Sequence, residues 1–190
     1  MTSLYDGSGN RKYLNPTERL AFYRAALEIT DDTERAFCMT LFRTGCRISE
    51  ALSLTPASID EGESCLIFQT LKQREAVKYR PVFIRSELID LLKALAADGR
   101  SKLFPFGRTT GWKKIKSCMA KAGLDGIKAT PKGLRHGFAI ACLSINTPLQ
   151  TIQLWLGHTK PETTAIYTTY VGEDERKLAK RLWAMTDNLP

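Results

Sequence analysis

Apolar positions fall into a helical rhythm once the polar opening stretch ends. In NPTE, Asn15 suits an N-cap, Pro16 the first helical position and Glu18 the third. Leu20, Phe22, Tyr23, Ala26 and Leu27 then share one stripe. A second helix is expected from about Thr33 to Thr44, with Asp31 or Asp32 near its cap and Gly45 at its end. RISEALSL supplies a third, short helix, and Thr55 and Pro56 start a further turn. Residues 1–14 carry no such pattern and read as a loose arm.

After Gly62 the period changes. SCLIFQT and YRPVFI are short and β-rich, separated by the polar, basic LKQREAVK, and predict a hairpin with a long loop. Pro81 has no N–H to give to a ladder, so its strand is expected at an edge or at a bulge. From Ser86 the helical spacing returns in ELIDLLKALAA. It recurs at about Thr110 to Ala122, Pro131 to Ser144, Leu149 to Leu156, Pro161 to Tyr167 and Glu173 to Met185. The expected fold is mainly α with one small antiparallel β-sheet, in a single domain over residues 15–190.

Composition narrows the partner. The 190 residues carry a formal charge of +8, which points to a polyanion, nucleic acid first. No apolar run approaches the roughly 20 residues that span a bilayer, and MTSLYDGSGNRKYLN lacks a signal-peptide core. The expectation is a cytoplasmic protein with no membrane partner. Five dispersed cysteines with no C-x-x-C pair give no disulfide framework and no zinc motif. Charge is also uneven. Between Arg100 and Arg135 ten cations stand against Asp125 alone. Charge runs are ordinarily solvated faces, but this excess suits phosphates, whose neutralisation releases counterions. Arg108, Lys113, Lys114, Lys116 and Lys121 are the candidate DNA-binding face.

Three stretches carry candidate chemistry. In TGCRISEALSL, Arg47 rises from apolar neighbours and Glu50, one turn on, can brace it. A braced guanidinium is a rigid fork for two phosphate oxygens. In TPKGLRHGFAIACL, Lys132 and Arg135 share the first turns of a helix, where backbone N–H groups favour an anion. In LGHTKPETTAIYTTY, Gly157 permits a sharp turn into His158, and Tyr167 follows at the end of a Pro-started helix. A phenol can attack phosphorus if a proton acceptor and cations surround it, since its free pKa is near 10. Lys72, in the hairpin loop, is a possible proton donor. No G-x-S-x-G, H-E-x-x-H or phosphate-loop motif competes.

Taken in order, these three stretches resemble the signature boxes of the tyrosine recombinases, the phage-integrase family. The likeness covers residues 13 to 186. Its spacings agree as well: 23 residues from Arg135 to His158 and nine from His158 to Tyr167. The resemblance implies a helical catalytic domain with a small sheet, and a site-specific recombinase of integrase, resolvase or invertase type. Arg47 and Arg135 would clamp the scissile phosphate, with Glu50 supporting Arg47. Lys72 would protonate the leaving 5′ oxygen. His158 would bond the phosphate or help take the phenolic proton. Tyr167 would attack, leaving a 3′-phosphotyrosine link that stores the bond energy without metal, ATP or other cofactor.

The family usually has His where Lys132 stands. Lysine keeps a donor to the phosphate but is no neutral imidazole base. His136, beside Arg135, is read as structural. The resemblance also implies a short member, like the invertases that flip fimbrial promoters, without the N-terminal DNA-binding domain most members carry. The partners it implies are double-stranded DNA, further copies assembling as a tetramer through the C-terminal helix, and an accessory DNA-binding protein. A type IB topoisomerase or a non-catalytic DNA-binding regulator are the alternative readings.

Overall fold

The computed structural model describes residues 3–70, 78–158 and 161–169. Its elements follow in the order α1 (Pro16–Leu27), α2 (Asp32–Thr44), α3 (Ile48–Ala51), a 3-10 turn (Pro56–Ser58), β1 (Ile59–Asp60), β2 (Cys65–Thr70) and β3 (Lys78–Phe83). Then come α4 (Ser86–Ala96), α5 (Arg108–Lys121), α6 (Pro131–Ser144), α7 (Leu149–Leu156), α8 (Pro161–Ala165) and a 3-10 turn (Ile166–Thr169). The expected mainly helical fold with one small antiparallel sheet is what forms. Lys72 and the expected helix at 173–185 lie outside the described residues. Among the described residues no helix is long and apolar enough to cross a membrane.

Local chemistry sets the helix ends. Asn15 Oδ1 accepts from the Glu18 N–H at 2.8 Å, and Glu18 Oε2 accepts from the Asn15 N–H at 2.9 Å. This reciprocal box satisfies two donors that α1 leaves open. Asp31 caps α2 through the Glu34 N–H, and Thr130 caps α6 through the Gly133 N–H. α2 and α7 both stop on a left-handed glycine, Gly45 and Gly157, which turns the chain sharply. α5 starts two residues before its expected first residue, Thr110.

The sheet runs β1-β2-β3, all antiparallel. β3 is therefore an edge strand, as Pro81 requires, and its register against β2 is continuous from Cys65↔Phe83 to Thr70↔Lys78. β1 has only two residues, too few for an alternation to reveal it.

α2 packs against α1, α4, α5 and α6 and buries an unbroken run from Ala36 to Phe42. Each buried Leu or Phe contributes about 1.5–3 kcal/mol. α6 is buried nearly all round, from Gly133 to Ile140. A side chain at 133 would sit 1.8 Å from the Lys128 carbonyl oxygen, so only glycine fits there. A second apolar cluster joins Leu4 and Tyr13 to Phe138, Ile140, Ile152, Leu156 and Tyr167.

That cluster corrects the expectation of a loose arm. Residues 3–14 form a closed turn, with a bridge between Tyr5 and Arg11 and Asp6 accepting from the N–H groups of Ser8 and Asn10. Leu4, Tyr13 and Leu14 are buried, and Arg11 pairs with Glu18 at 3.0 Å. Spaced apolar residues at 4, 13 and 14 have no periodicity, so pattern alone could not reveal that they anchor the segment.

Candidate active site

Two helix ends converge on Arg135. Its Nη1 donates to the Gly45 carbonyl at 2.8 Å and its Nη2 to the Leu156 carbonyl at 2.7 Å. These carbonyls lie at the C-terminal ends of α2 and α7, where the helix dipole is negative. The guanidinium is thus buried without needing a carboxylate of its own. Burial, then repulsion from Arg47, lowers its pKa to about 10, which leaves it charged at neutral pH.

Arg47 caps α3 from the same chain reversal. Glu50 Oε1 accepts from Arg47 Nη1 at 2.8 Å, and Oε2 accepts from the Arg47 N–H at 2.7 Å. Oε2 also accepts from Arg80 Nη2 at 2.8 Å, and Arg80 Nε donates to the Trp155 carbonyl at 2.9 Å. Burial would raise the Glu50 carboxyl, but the Arg80 charge and the bonds from Arg47 and Arg80 hold it below the usual carboxylate range. Arg80 links the sheet, α3 and the end of α7. Its guanidinium lies so close to Gly157 that a side chain there would meet Nη1 at 2.7 Å. Sequence reasoning passed over Arg80. The signal was present: Arg80, Val82 and Ile84 alternate inward, and a charge on the inward face of a strand marks a buried ion pair.

His158 follows Gly157 directly. Its Nδ1 is 2.8 Å from Thr164 Oγ1, and the Gln153 side-chain amide donates to its carbonyl. Burial and the charges of Arg135 and Arg47 push its pKa down to about 3, so the ring is neutral. Tyr167 lies with its ring parallel to that of His158, centroids 6.4 Å apart, and is 1% exposed. Its hydroxyl meets His136 Nδ1 at 2.9 Å. Burial raises the phenol to about 12 against the opposing pull of Arg135 and Arg47. His136, read from sequence as structural, is therefore the hydrogen-bond partner of the tyrosine hydroxyl. The two residues are 31 apart, and no local pattern connects them.

One cavity of about 770 Å³ takes in Arg47, Lys132, Arg135, His136, His158 and Tyr167 in its walls. Lys132 is exposed there, and Arg108, Trp112 and Lys12 complete the rim. Such a lining can hold an anion between fixed guanidinium forks with a phenol in the same chamber. Of the expected DNA-binding cations, Arg108, Lys113 and Lys121 are exposed. Lys114 is instead paired with Glu34 at 2.6 Å, and Lys116 donates to the Ala129 carbonyl at 3.0 Å. Those two cations are partly used to join elements of the domain.

A family profile described as the phage integrase family matches residues 12–171. The tyrosine recombinase XerD of Yersinia pestis is 32% identical over 168 residues, covering 80% of this chain and 54% of that protein. The crystal structure of XerA recombinase superposes with a TM-score of 0.74 at 28% identity, covering 89% of this chain and 64% of that one. XerH recombinase, in a post-cleavage complex with a palindromic difH substrate, gives a TM-score of 0.78 at 23% identity, covering 97% and 57%. The chain spans about half the length of the curated relatives it matches.

Proposed function

Because the chain belongs to the phage integrase family, we propose that it is a site-specific DNA recombinase that works through a covalent phosphotyrosine. The scissile phosphate sits between the forks of Arg47 and Arg135, with Lys132 adding a third cation and His158 a hydrogen bond. The Tyr167 oxygen attacks phosphorus, the bond to the 5′ oxygen breaks, and Lys72 gives that oxygen its proton. The 3′-phosphotyrosine keeps the bond energy, so the reverse attack by a 5′ hydroxyl of another strand rejoins DNA. Fixed cations meet the extra negative charge of five-coordinate phosphorus without reorganising, which is where most of the rate arises.

One observation carries this reading: Arg47, Arg135, His158 and Tyr167, scattered over 120 sequence positions, line one cavity. A DNA-binding regulator would need the cations but no aligned phenol. The partner is double-stranded DNA, held in part by Arg108, Lys113 and Lys121. Further copies assemble on it as a tetramer through residues 173–185, helped by an accessory DNA-binding protein, in the cytoplasm.

The test is a nicked suicide duplex carrying the recombination site, recovered from a random duplex library by binding. Wild type gives an SDS-resistant protein–DNA adduct, and Tyr167→Phe gives none. An adduct from the Phe variant removes Tyr167 as nucleophile.

A further inference from the structure

Attack by Tyr167 requires its hydroxyl proton to leave, and three nearby groups compete for it. Lys132 is an exposed cation with no lone pair to offer. His158 has its Nδ1 engaged by Thr164, its ring lies parallel to the phenol, and no hydrogen bond joins it to the hydroxyl. His136 meets the hydroxyl directly, Nδ1 to Oη at 2.9 Å, with the rings edge to face at 63°. A general base must first lie within hydrogen-bond reach of the proton it takes, and His136 does.

His136 is also not spent on structure. It is 5% exposed, yet among the described residues its Nε2 has no partner. A buried histidine kept for packing normally has its polar atoms satisfied. Here the bonded nitrogen is the one facing the nucleophile.

We infer that His136 is a catalytic residue, its Nδ1 accepting the Tyr167 proton as the phenolic oxygen bonds to phosphorus. The Oη–H bond breaks and Nδ1–H forms. Oη–P forms, P–O5′ breaks, and the 5′ oxygen is protonated by Lys72. On rejoining, the incoming 5′ hydroxyl gives its proton back to Lys72 as its oxygen bonds to phosphorus, the P–Oη bond breaks, and His136 returns its proton to Tyr167.

The surroundings make this base conditional on substrate. Burial, then Lys132 and Arg135 on its own helix and Lys12 from the N-terminal turn, hold the imidazole down at about 4 in the DNA-free chain. It is therefore neutral and able to accept. A phosphodiester in the cavity sets negative charge beside those same cations and offsets their repulsion of an imidazolium. The base strengthens when there is a phosphate to attack, and only then.

The inference rests on the recombinase reading, and one experiment separates the two. His136→Asn keeps a side chain able to hydrogen-bond the phenol but not to take a proton. Single-turnover adduct formation on the suicide duplex is followed from mildly acidic to mildly basic pH, with wild type and Tyr167→Phe alongside. At neutral pH the Asn variant is expected to be slower by about 10²-fold or more, with DNA affinity unchanged. Its rate keeps climbing with pH after wild type has levelled, as hydroxide replaces the imidazole. Asn at the wild-type rate, or a deficit equal at every pH, overturns the inference while the wild-type adduct still stands. No adduct from wild type overturns the recombinase reading itself. Should the Asn variant fail to fold, ¹⁵N NMR of the wild-type His136 ring decides. Its titration midpoint rises when intact duplex is added, and an unmoved midpoint refutes the role.

Discussion

Arg47, Arg80 and Arg135 are each fastened to a helix-terminal carbonyl, to the Glu50 carboxylate, or to both. Tyr167, in the same cavity, rests on apolar packing and a hydrogen bond to His136, and it stands on a short 3-10 turn after a five-residue helix. On the proposed recombinase reading the two halves have different tasks. Cations that stabilise a transition state lose effectiveness if they must reorganise, so fixing them beforehand raises the rate. A nucleophile has to give up its proton and change bonding partner, and burial, which raises the Tyr167 phenol to about 12, holds that proton on until a base takes it. The cationic half is tied to backbone carbonyls at the ends of α2 and α7, and through Arg80 to the sheet.

The strongest way to break this contrast is to remove the clamp's central anion. Glu50→Ala removes the carboxylate that Arg47 and the buried Arg80 share. Losing one member of a buried ion pair costs about 3–5 kcal/mol, and urea unfolding should report a loss of that order. A loss below about 1 kcal/mol would show that Glu50 does not organise the clamp. The same carboxyl also sets a pH signature. Its native pKa lies below the usual 4.5, so its stabilisation is complete above that value and disappears as pH falls through the native one. Acid melting of wild type should therefore be steeper than that of Glu50→Gln.

Arg135→Lys asks whether charge or fork geometry matters. Lysine keeps the charge, but one ammonium cannot bridge the Gly45 and Leu156 carbonyls while facing a phosphate. Suicide-substrate cleavage should fall by about 10²- to 10³-fold, with DNA affinity much less affected. A lysine variant that cleaves normally would mean that a point charge suffices and the rigid half is rigid for other reasons.

In both halves the helix ends could be read in advance and the side-chain partners could not. Asn15, Asp31, Pro131 and the glycines at 45 and 157 announce helix ends through local rules, and those ends aim Arg47, Arg135 and His158. Local chemistry sufficed because each signal and its effect lie within one turn of chain. The partners that hold the side chains were not legible. His136 and Tyr167, or Arg80 and Glu50, meet only once several elements have packed. Leu4 and Tyr13 show the same limit: their burial depends on α6 and α7 being in place, and nothing beside them in sequence says so. Arg80 is the instructive intermediate, since strand parity exposed the anomaly without naming Glu50 as its answer.

The smallest effect sharpens the comparison from the nucleophile side. Thr164 is fully buried and bonds His158 Nδ1 at 2.8 Å. Thr164→Val keeps the shape and removes the hydroxyl. A hydrogen bond of this kind is worth about 1 kcal/mol net, so the cleavage rate should fall by no more than about tenfold, with little change in unfolding. The reason lies in what else holds the ring: Gly157 fixes the backbone before it, and Gln153 bonds its carbonyl. His158 should keep its place and lose only its preferred tautomer. A pH–rate profile then distinguishes the outcomes. A modest, pH-dependent loss fits a ring still in position with a freer proton. A loss above about 100-fold would mean that Thr164 alone orients the imidazole, and that the nucleophile half depends on a single bond as heavily as the clamp depends on Glu50.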